Sequence, residues 1–588
     1  PISDEVFLRR VYLDIAGRIP TLEEYDQFMA MTESTRRNEL IDQLLDSAAY
    51  VSNSFNYWAD TLRATSSLAG VGDGANYINW IKDSIANNKP YDQFVREMLA
   101  SEGAMYKPGN GATGWYMKDL NMPLDNLAQT MEVFLGTSML CAQCHDHPKK
   151  KWTQMDFFKL AAFTHGTATN GVQVDQSLMN DIIAKVGKSD VPGKRHFRAR
   201  YVGVYNSGTG DIKLPYDYQY DDGEPDQVIQ AEVPFGPVIN IDYESSNGAK
   251  ERNEQFPFDK DEDFKGLTHV NSRATFADWV TSPDNPMFTK TIVNRLWDRV
   301  MGVPLIGDLL DLPSPPEGIE TQSSRLTDER RKHLEGVNPE LTEFLISLME
   351  ELEYDQKMFL RVIYKSQSYQ RAATHQVEGE YYFPGPVMKR LSAEKIHDSL
   401  LALRVEDPDA SIKMESVPYH SRVYGELIDR DAQGMIDFAE DEEEILEELK
   451  VGQEGQRIFS EILNRSPLDA RASEQRSPGT PGRMLEVFGQ SSREAVDDAS
   501  TESSIPQALK LMNHADYSLE KTKPSGLYQR LNSEESLEER IQILYKAVLS
   551  RQATSSELSM VKRHTENGLE LADIYWGLVN SHEFRTKM

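Results

Sequence analysis

Residues 7–24 run Phe7-Leu8-Arg9-Arg10-Val11-Tyr12-Leu13-Asp14-Ile15-Ala16-Gly17-Arg18-Ile19-Pro20-Thr21-Leu22-Glu23-Glu24. Phe7, Leu8, Val11, Tyr12 and Ile15 follow helical spacing. Gly17 gives that helix a C-terminal stop, and Pro20 prevents its continuation. Thr21 and Glu24 have the spacing of a capping box, which opens the next helix. Helical pattern returns around residues 40–45 and 77–85.

Working outward, the far end of the chain repeats this grammar. Tyr545, Val548, Arg551, Thr554 and Glu557 match Tyr12, Ile15, Arg18, Thr21 and Glu24 at one constant offset. Leu578, Ser581 and Phe584 echo Leu44, Ser47 and Tyr50 with a one-residue slip. Two origins fit: a helical hairpin used twice, or two units with the same capping chemistry.

Between the ends, Phe197, Ala199, Tyr201, Gly203 and Tyr205 alternate with other residues, and Asn206-Ser207-Gly208 follows as a turn. Residues 228–241 read as further strand. From about 268 the pattern is helical again, marked by Trp279, Val293, Trp297 and Val300, then by Leu341, Phe344, Leu345 and Leu348. Residues 437–450 form a dense acidic helical pattern whose charges suit a solvated face. Residues 466–483, rich in Ser, Pro, Gly and Arg, read as a mobile loop.

The expected fold is therefore mainly α and multidomain, with a small β-rich module between two helical blocks. Boundaries are expected at 1–185 for a helical unit, 186–266 for the β-rich module or linker, and 267–588 for a helical C-terminal unit. The last carries an acidic insertion near 404–480.

The chain has 588 residues, 39% hydrophobic and 27% charged, which suits a globular protein with a sizeable core. Its formal net charge of -31 disfavours nucleic acid, whose phosphates need clustered Lys and Arg. No apolar run approaches the roughly 18 residues of a membrane span. The chain opens at Pro1 inside a helical pattern, so an upstream segment is expected.

There are only two cysteines, and they sit together. Residues 141–148 read Cys141-Ala142-Gln143-Cys144-His145-Asp146-His147-Pro148. C-x-x-C-H is the attachment signal for c-type haem. Two thiols on one turn bond the two vinyl groups of one porphyrin, and the next imidazole lies under the iron as proximal ligand. Cys141, Cys144 and His145 are therefore expected to hold a covalent haem c, with His145 as the metal ligand. His147 is expected near the haem, as a donor to a propionate or as part of the turn before Pro148. Leu124, Leu127, Met131, Phe134 and Leu135 lead into the motif. Trp152, Phe157, Phe158 and Phe163 follow it, either as walls of a haem site, Trp152 foremost, or as ordinary core.

The sixth iron ligand is unknown from sequence. Met117, Met122, Met131, Met139, Met155 and His165 lie nearby, and a distant residue or an open position is equally compatible. A thioredoxin-type pair lacks its βαβ context. A zinc site would need four ligands, here crowded into seven residues. Asp259, Asp261 and Asp263 imitate a calcium loop, but Phe264 and Val270 stand where Gly and Glu are required. No hydrolase, metalloprotease, P-loop or Rossmann motif is present. His269, His397 and His514 are isolated and read as structural.

Several segments carry a family resemblance. Phe134-Leu135-Gly136, the motif itself, Trp152 and Leu160-Ala161-Ala162-Phe163 resemble the planctomycete cytochrome C domain of the second named type. The opening residues 7–14 and 17–21, and Tyr57-Trp58-Ala59-Asp60, fit the same pattern. Asn285-Pro286, Val293-Asn294-Arg295-Leu296-Trp297, residues 338–341, 366–371 and 394–400, Phe488-Gly489, Arg493-Glu494 and Gln507-Ala508-Leu509 resemble the planctomycete-specific domain that usually follows it. The resemblance implies an exported, periplasmic multidomain cytochrome. It also implies a partner with a sulfatase-like or phosphatase-like fold encoded nearby. The segment from about 404 to 480 departs from the pattern.

The functional expectation is single-electron transfer, as the electron-accepting subunit of an oxidoreductase complex acting on carbohydrates or related organic substrates. The large mass beyond the haem unit motivates it, because a simple shuttle needs only about 100 residues. The alternatives are a haem enzyme with an open sixth position, and a scaffold with a structural haem.

Overall fold

The computed structural model describes residues 1–68, 72–148, 152–169, 202–206, 212–235, 272–307, 338–375, 382–412, 434, 437, 470–479, 483–496, 498–500, 502, 504–513, 518–522 and 525–587. The fold is mostly helical, with short antiparallel sheets between helical regions, as the patterning predicts.

The opening helix, Asp4–Val11, is capped by the Ser3 hydroxyl, which accepts from Val6 N. It continues as a wider π-helical turn over Tyr12–Ala16 and stops at Gly17, whose φ is 74°. Thr21 and Glu24 form the expected reciprocal capping box on the Leu22–Ala30 helix. Arg36–Leu45 follows, and Ser47 caps Ala48–Thr61 through Tyr50 N.

The C-terminal end reproduces this unit. Ser536 caps Leu537–Leu549, Ser550 takes the left-handed conformation at φ 56°, and Thr554 and Glu557 form a capping box on Ser555–Thr565. Leu571–Val579 follows, and the Ser581 hydroxyl accepts from Phe584 N as Ser47 does from Tyr50 N. The shared grammar is a shared structure, from the first cap to the last serine turn.

The two units also touch. The Arg9 guanidinium donates to the carbonyls of Val548, Glu583 and Phe584 at 3.0–3.2 Å. One hydrophobic core gathers residues from Phe7 through Phe235 and from Phe276 through Phe383. A second joins Leu13, Ile19 and Leu22 to the chain between Leu391 and Phe584. The opening helix thus buries Tyr12 and Ile15 in one core and Leu13 in the other.

A three-stranded antiparallel sheet places Gly203–Asn206 between Gly103–Ala104 and Thr167–Ala168. A Cβ on Gly203 would lie 2.1 Å from the Gly103 carbonyl oxygen, so this close pairing requires glycine. Ile212–Lys213 pairs with Val228–Ile229 in a separate hairpin. The strand expected over 228–241 is narrower than its pattern. Pairing ends at Ile229, and Val233 and Phe235 reach the core from a loop that contains Pro234. Residues 236–241, and Phe197, Ala199 and Tyr201, lie outside the described residues.

The helical expectations for the second half are met by Ser272–Val280, Pro286–Met301 and Pro339–Glu351, although Phe344 faces solvent. The loop expected to be mobile over 466–483 is packed where it is described. Arg471 is fully buried and pairs with Asp398 at 2.8 Å and Asp409 at 2.6 Å. Its polar composition serves a buried ion network rather than solvent. The acidic pattern at 438–450, the imitation calcium loop, His269 and His514 lie outside the described residues. His397 is buried, with Nε2 3.0 Å from the Ala470 carbonyl oxygen, which fits its structural reading.

Candidate functional site

The Pro123–Leu135 helix begins with proline, which costs no hydrogen bond at that position, and ends at Gly136 with φ 61°. Its apolar face, Leu127, Met131, Phe134 and Leu135, is fully buried. The turn at Gly136 directs the chain back across the Gln154–Thr164 helix. There the Trp152 indole N–H donates to the Thr137 hydroxyl at 2.9 Å, both side chains being buried. Trp152, Phe157, Phe158 and Phe163 are packed in the core beneath the motif.

Above this floor, Leu140–Gln143 forms one 3₁₀ turn. Ala142 points inward and is fully buried, which anchors the turn. Cys141 and Cys144 are exposed, and neither is in a disulfide. The Cys141 carbonyl accepts from both Cys144 N and His145 N at 3.2 Å. Both thiols and the following imidazole are therefore presented by one compact turn.

The His145 ring is exposed, and its Nδ1 lies 2.7 Å from the Asp146 carbonyl oxygen. A carbonyl can only accept, so Nδ1 carries a proton, which in the neutral ring leaves the lone pair on Nε2. That is the tautomer a metal-ligating histidine needs, fixed by a backbone acceptor. Asp146 is itself held at two further atoms, and the turn at a third point. Asp146 N donates to the Tyr220 hydroxyl at 2.8 Å, and Asp146 Oδ1 accepts from Gln154 N at 2.8 Å. The Gln154 side chain reaches back to the Gln143 carbonyl at 3.3 Å.

His147 is half-buried, and its N–H closes the loop on the Trp152 carbonyl at 2.8 Å. Among the described residues, no three His, Cys, Asp or Glu side chains converge as a metal cage. Cys141, Cys144, His145 and His147 are thus not arranged as a tetrahedral zinc site. Their donor set instead fits a haem: two accessible thiols and one oriented imidazole nitrogen. Of the nearby methionines, Met117, Met131, Met139 and Met155 are buried, whereas Met122 is half-exposed and His165 is at the surface. Partial desolvation against its surroundings lowers the pKa of the His165 ring although the residue reaches the surface.

Asp146, Gln154 and Tyr220 were not among the expected residues. Asp146 lies inside the motif, where its backbone role leaves no signature. Tyr220 arrives from the loop of the Ile212–Lys213 and Val228–Ile229 hairpin, and nothing local in the sequence joins it to the motif.

The family PSCyt2, described as a protein of unknown function (DUF1549), matches residues 1–169. The family PSD1, likewise a protein of unknown function (DUF1553), matches residues 272–320 and 326–565. No curated protein and no solved structure matches the chain. The resemblance drawn from the sequence holds for both halves, and the motif lies inside the first.

Proposed function

We propose that this chain, which belongs to the proteins that join a PSCyt2 domain to a PSD1 domain, carries one covalent haem c and transfers single electrons. The observation that carries this reading is the pairing of two exposed thiols on one turn with a His145 ring whose Nδ1 is engaged by the Asp146 carbonyl. Cys141 and Cys144 would hold the porphyrin, and His145 Nε2 would ligate the iron. A bound haem supplies one-electron redox chemistry.

The chain's own residues position the group. Tyr220 and Gln154 immobilise the Asp146 peptide, so the imidazole is held before any ligand arrives. Trp152 and Thr137 support the turn from the core side, and Trp152 would act through that support. His147 is proposed as a donor to a haem carboxylate, because its backbone is fixed beside the motif while its ring is half-exposed.

On this reading the protein is exported and works in the periplasm or a similar compartment. It would serve as the electron-accepting subunit of an oxidoreductase complex acting on carbohydrates or related organic substrates. A sulfatase-like or phosphatase-like fold is its proposed partner. A second reading, a haem enzyme with an open sixth position, is favoured by the burial of Met117, Met131, Met139 and Met155 in the core. Each would have to leave well-packed surroundings to reach a group attached at the surface.

The deciding experiment expresses the chain in an export-competent host and records a reduced pyridine spectrum together with intact mass. The expected result is one haem adduct and a two-thioether spectrum. Absence of any adduct would overturn the reading. Carbon monoxide then separates the two readings: a six-coordinate electron carrier resists it, and an open site binds it promptly.

A further inference from the structure

The hairpin of Ile212–Lys213 and Val228–Ile229 lies outside both matched regions, between residues 169 and 272, yet it touches the C-x-x-C-H motif. Its strands pack on the Gln154–Thr164 helix, with Ile212, Leu214 and Ile229 buried. The connecting loop is tied to itself. Leu214 N donates to the Gln227 carbonyl at 2.9 Å and Gln227 N to the Glu224 carbonyl at 3.0 Å. Glu224 N donates to the Gln227 side-chain oxygen at 2.9 Å. Gly223 sits so close to Leu214 and Met155 that a Cβ there would lie 2.7–2.8 Å from both. The loop is thus pressed onto the helix beneath the motif.

Three side chains of this loop make a series of contacts that ends at His145. Tyr218 is buried, and its hydroxyl donates to the Asp222 carboxylate. Burial first, then Asp222, raises the Tyr218 phenol above its ordinary range, so it remains a donor. The Tyr218 and Tyr220 rings meet edge to face, their centroids 5.4 Å apart. The Tyr220 hydroxyl accepts from Asp146 N at 2.8 Å, and the Asp146 carbonyl oxygen lies 2.7 Å from His145 Nδ1.

The backbone does not need the Tyr220 contact for its own sake. Asp146 is only half-buried, so water could take its N–H. What the contact does is fix the residue that orients the imidazole, an exposed ring that would otherwise keep its rotamer freedom. Asp146 N is held by Tyr220 and its carboxylate by Gln154 N. The peptide that bears its carbonyl is held by His147 N on the Trp152 carbonyl at 2.8 Å. Of these three restraints, Tyr220 alone reaches in from outside residues 1–169.

We propose that this hairpin sets the strength of His145 as an iron ligand. Tyr220 is the positioning residue, and Tyr218 and Asp222 hold Tyr220 in place. The inference rests on the haem reading. A hydrogen bond from Nδ1–H to a fixed acceptor makes Nε2 more basic, and a more basic ligand favours ferric over ferrous iron. The intact hairpin therefore lowers the midpoint potential, and loosening it raises the potential.

Midpoint potentials of the haem-loaded full chain test this. Tyr220→Phe keeps the ring and removes the acceptor. It is expected to shift the balance towards ferrous iron by up to about tenfold, a rise of about 59 mV. Tyr218→Phe and Asp222→Ala should act in the same direction and less. Tyr216→Phe, 83% exposed on the same loop, should change nothing. A merely structural role would lower the melting temperature of Tyr220→Phe and leave its potential unmoved, which overturns the proposal.

The haem-free chain gives a second readout that needs no loaded protein. Histidine-selective 15N spectra at mildly alkaline pH report the ring tautomer, the His145 signal being the one lost in His145→Gln. Nδ1–H should predominate in the wild type, and Tyr220→Phe should move population towards Nε2–H. A wild-type ring that is mainly Nε2–H overturns the proposal even if no hairpin variant folds. Absence of a haem adduct on the wild type defeats the haem reading, and this inference with it. An adduct whose potential ignores Tyr220→Phe defeats this inference alone.

Discussion

Arg18 and Arg551, near opposite ends of the chain, are held by the same contacts. Each guanidinium grips the capping-box glutamate of the next helix in bidentate fashion, Glu24 at 2.7 and 2.8 Å and Glu557 at 2.9 and 2.9 Å. Each also donates to the carbonyl of the residue that follows it, Ile19 at 3.1 Å and Gln552 at 3.0 Å. Each lies 5.5 Å from a tyrosine ring six residues earlier, Tyr12 and Tyr545. The third partner differs. Arg551 takes Glu583 from its own unit, while Arg18 takes Asp409 from a distant segment, at 2.6 Å.

The two arginines should therefore differ in consequence. Arg18 is 2% exposed and its loss strands Glu24 and Asp409, so Arg18→Met is expected to cost roughly 3–5 kcal/mol. Arg551 is 22% exposed and water can replace part of its role, so Arg551→Met should cost about 1–2 kcal/mol. Urea unfolding of the two variants measures both, and equal losses would contradict the difference in burial.

Stability at acid pH should carry a signature of the second unit. The hydrogen bond from Arg551 holds the Glu557 carboxyl down to about 2, from an ordinary 4.5. A depressed carboxylate stabilises above its unfolded pKa and loses that contribution as pH falls through the folded value. The contribution should be complete above pH 4.5 and fade towards pH 2. Glu557→Gln should flatten the pH dependence of the melting temperature in that window. The effect is small, because Glu557 is partly solvated.

Both thiols should be open to reagents in the haem-free chain. Cys141 and Cys144 are exposed on one turn, so two equivalents of a thiol reagent should react without denaturant. Haem-loaded protein should give none. Tyr220→Phe removes the acceptor of Asp146 N and loosens the residue whose carbonyl orients His145. The loaded variant should keep its haem but show a shifted midpoint potential.

Lys395, in the first turn of the Ala393–Ala402 helix, is shielded from water, and burial disfavours its charged amine, so Lys395→Met should stabilise the protein at neutral pH by about 1–2 kcal/mol. The gain should shrink between about pH 8 and the ordinary lysine range of 10.5, where the native amine is already neutral and the unfolded one is not. Thermal unfolding across that range checks both sign and window.

Gly17→Ala should destabilise more than the left-handed backbone alone explains. Gly17 has φ 74°, and an added Cβ would lie 2.7–2.8 Å from the Asn53 side chain, which holds the π-turn carbonyls. Ser550 occupies the same place in the second unit and tolerates a side chain. Ser550→Ala should therefore be far milder in chemical denaturation than Gly17→Ala.

Local chemistry carried most of what was legible. Thr21, Glu24, Gly17 and the C-x-x-C-H motif act over a few residues, so spacing alone reads them. The same holds for the repeat, since caps are local. The site's supports were not legible, because Tyr220 and Gln154 act through backbone groups of other segments. The buried cluster at Asp14, reached by Lys587 Nζ at 2.8 Å and by the Tyr369 hydroxyl at 2.8 Å, was hidden for a different reason. Asp14 sits in an apolar helix as one acidic residue among many, and only its partners Lys587, Tyr369 and Lys395 reveal it. Arg471 misled for the same cause, since a Ser- and Arg-rich stretch reads as solvated until Asp398 and Asp409 are seen around it.

The pairing of Asp409 with Arg471 also fixes a doorway. Ser411 accepts from Arg471 N at 3.0 Å, so the chain departs near 411 and re-enters at 471 through one point in space. The length of chain joining these two points is therefore only weakly constrained by closure, because closing a loop whose ends already meet depends only weakly on its length. The same doorway makes the joining chain the natural place to graft a reporter or a foreign domain.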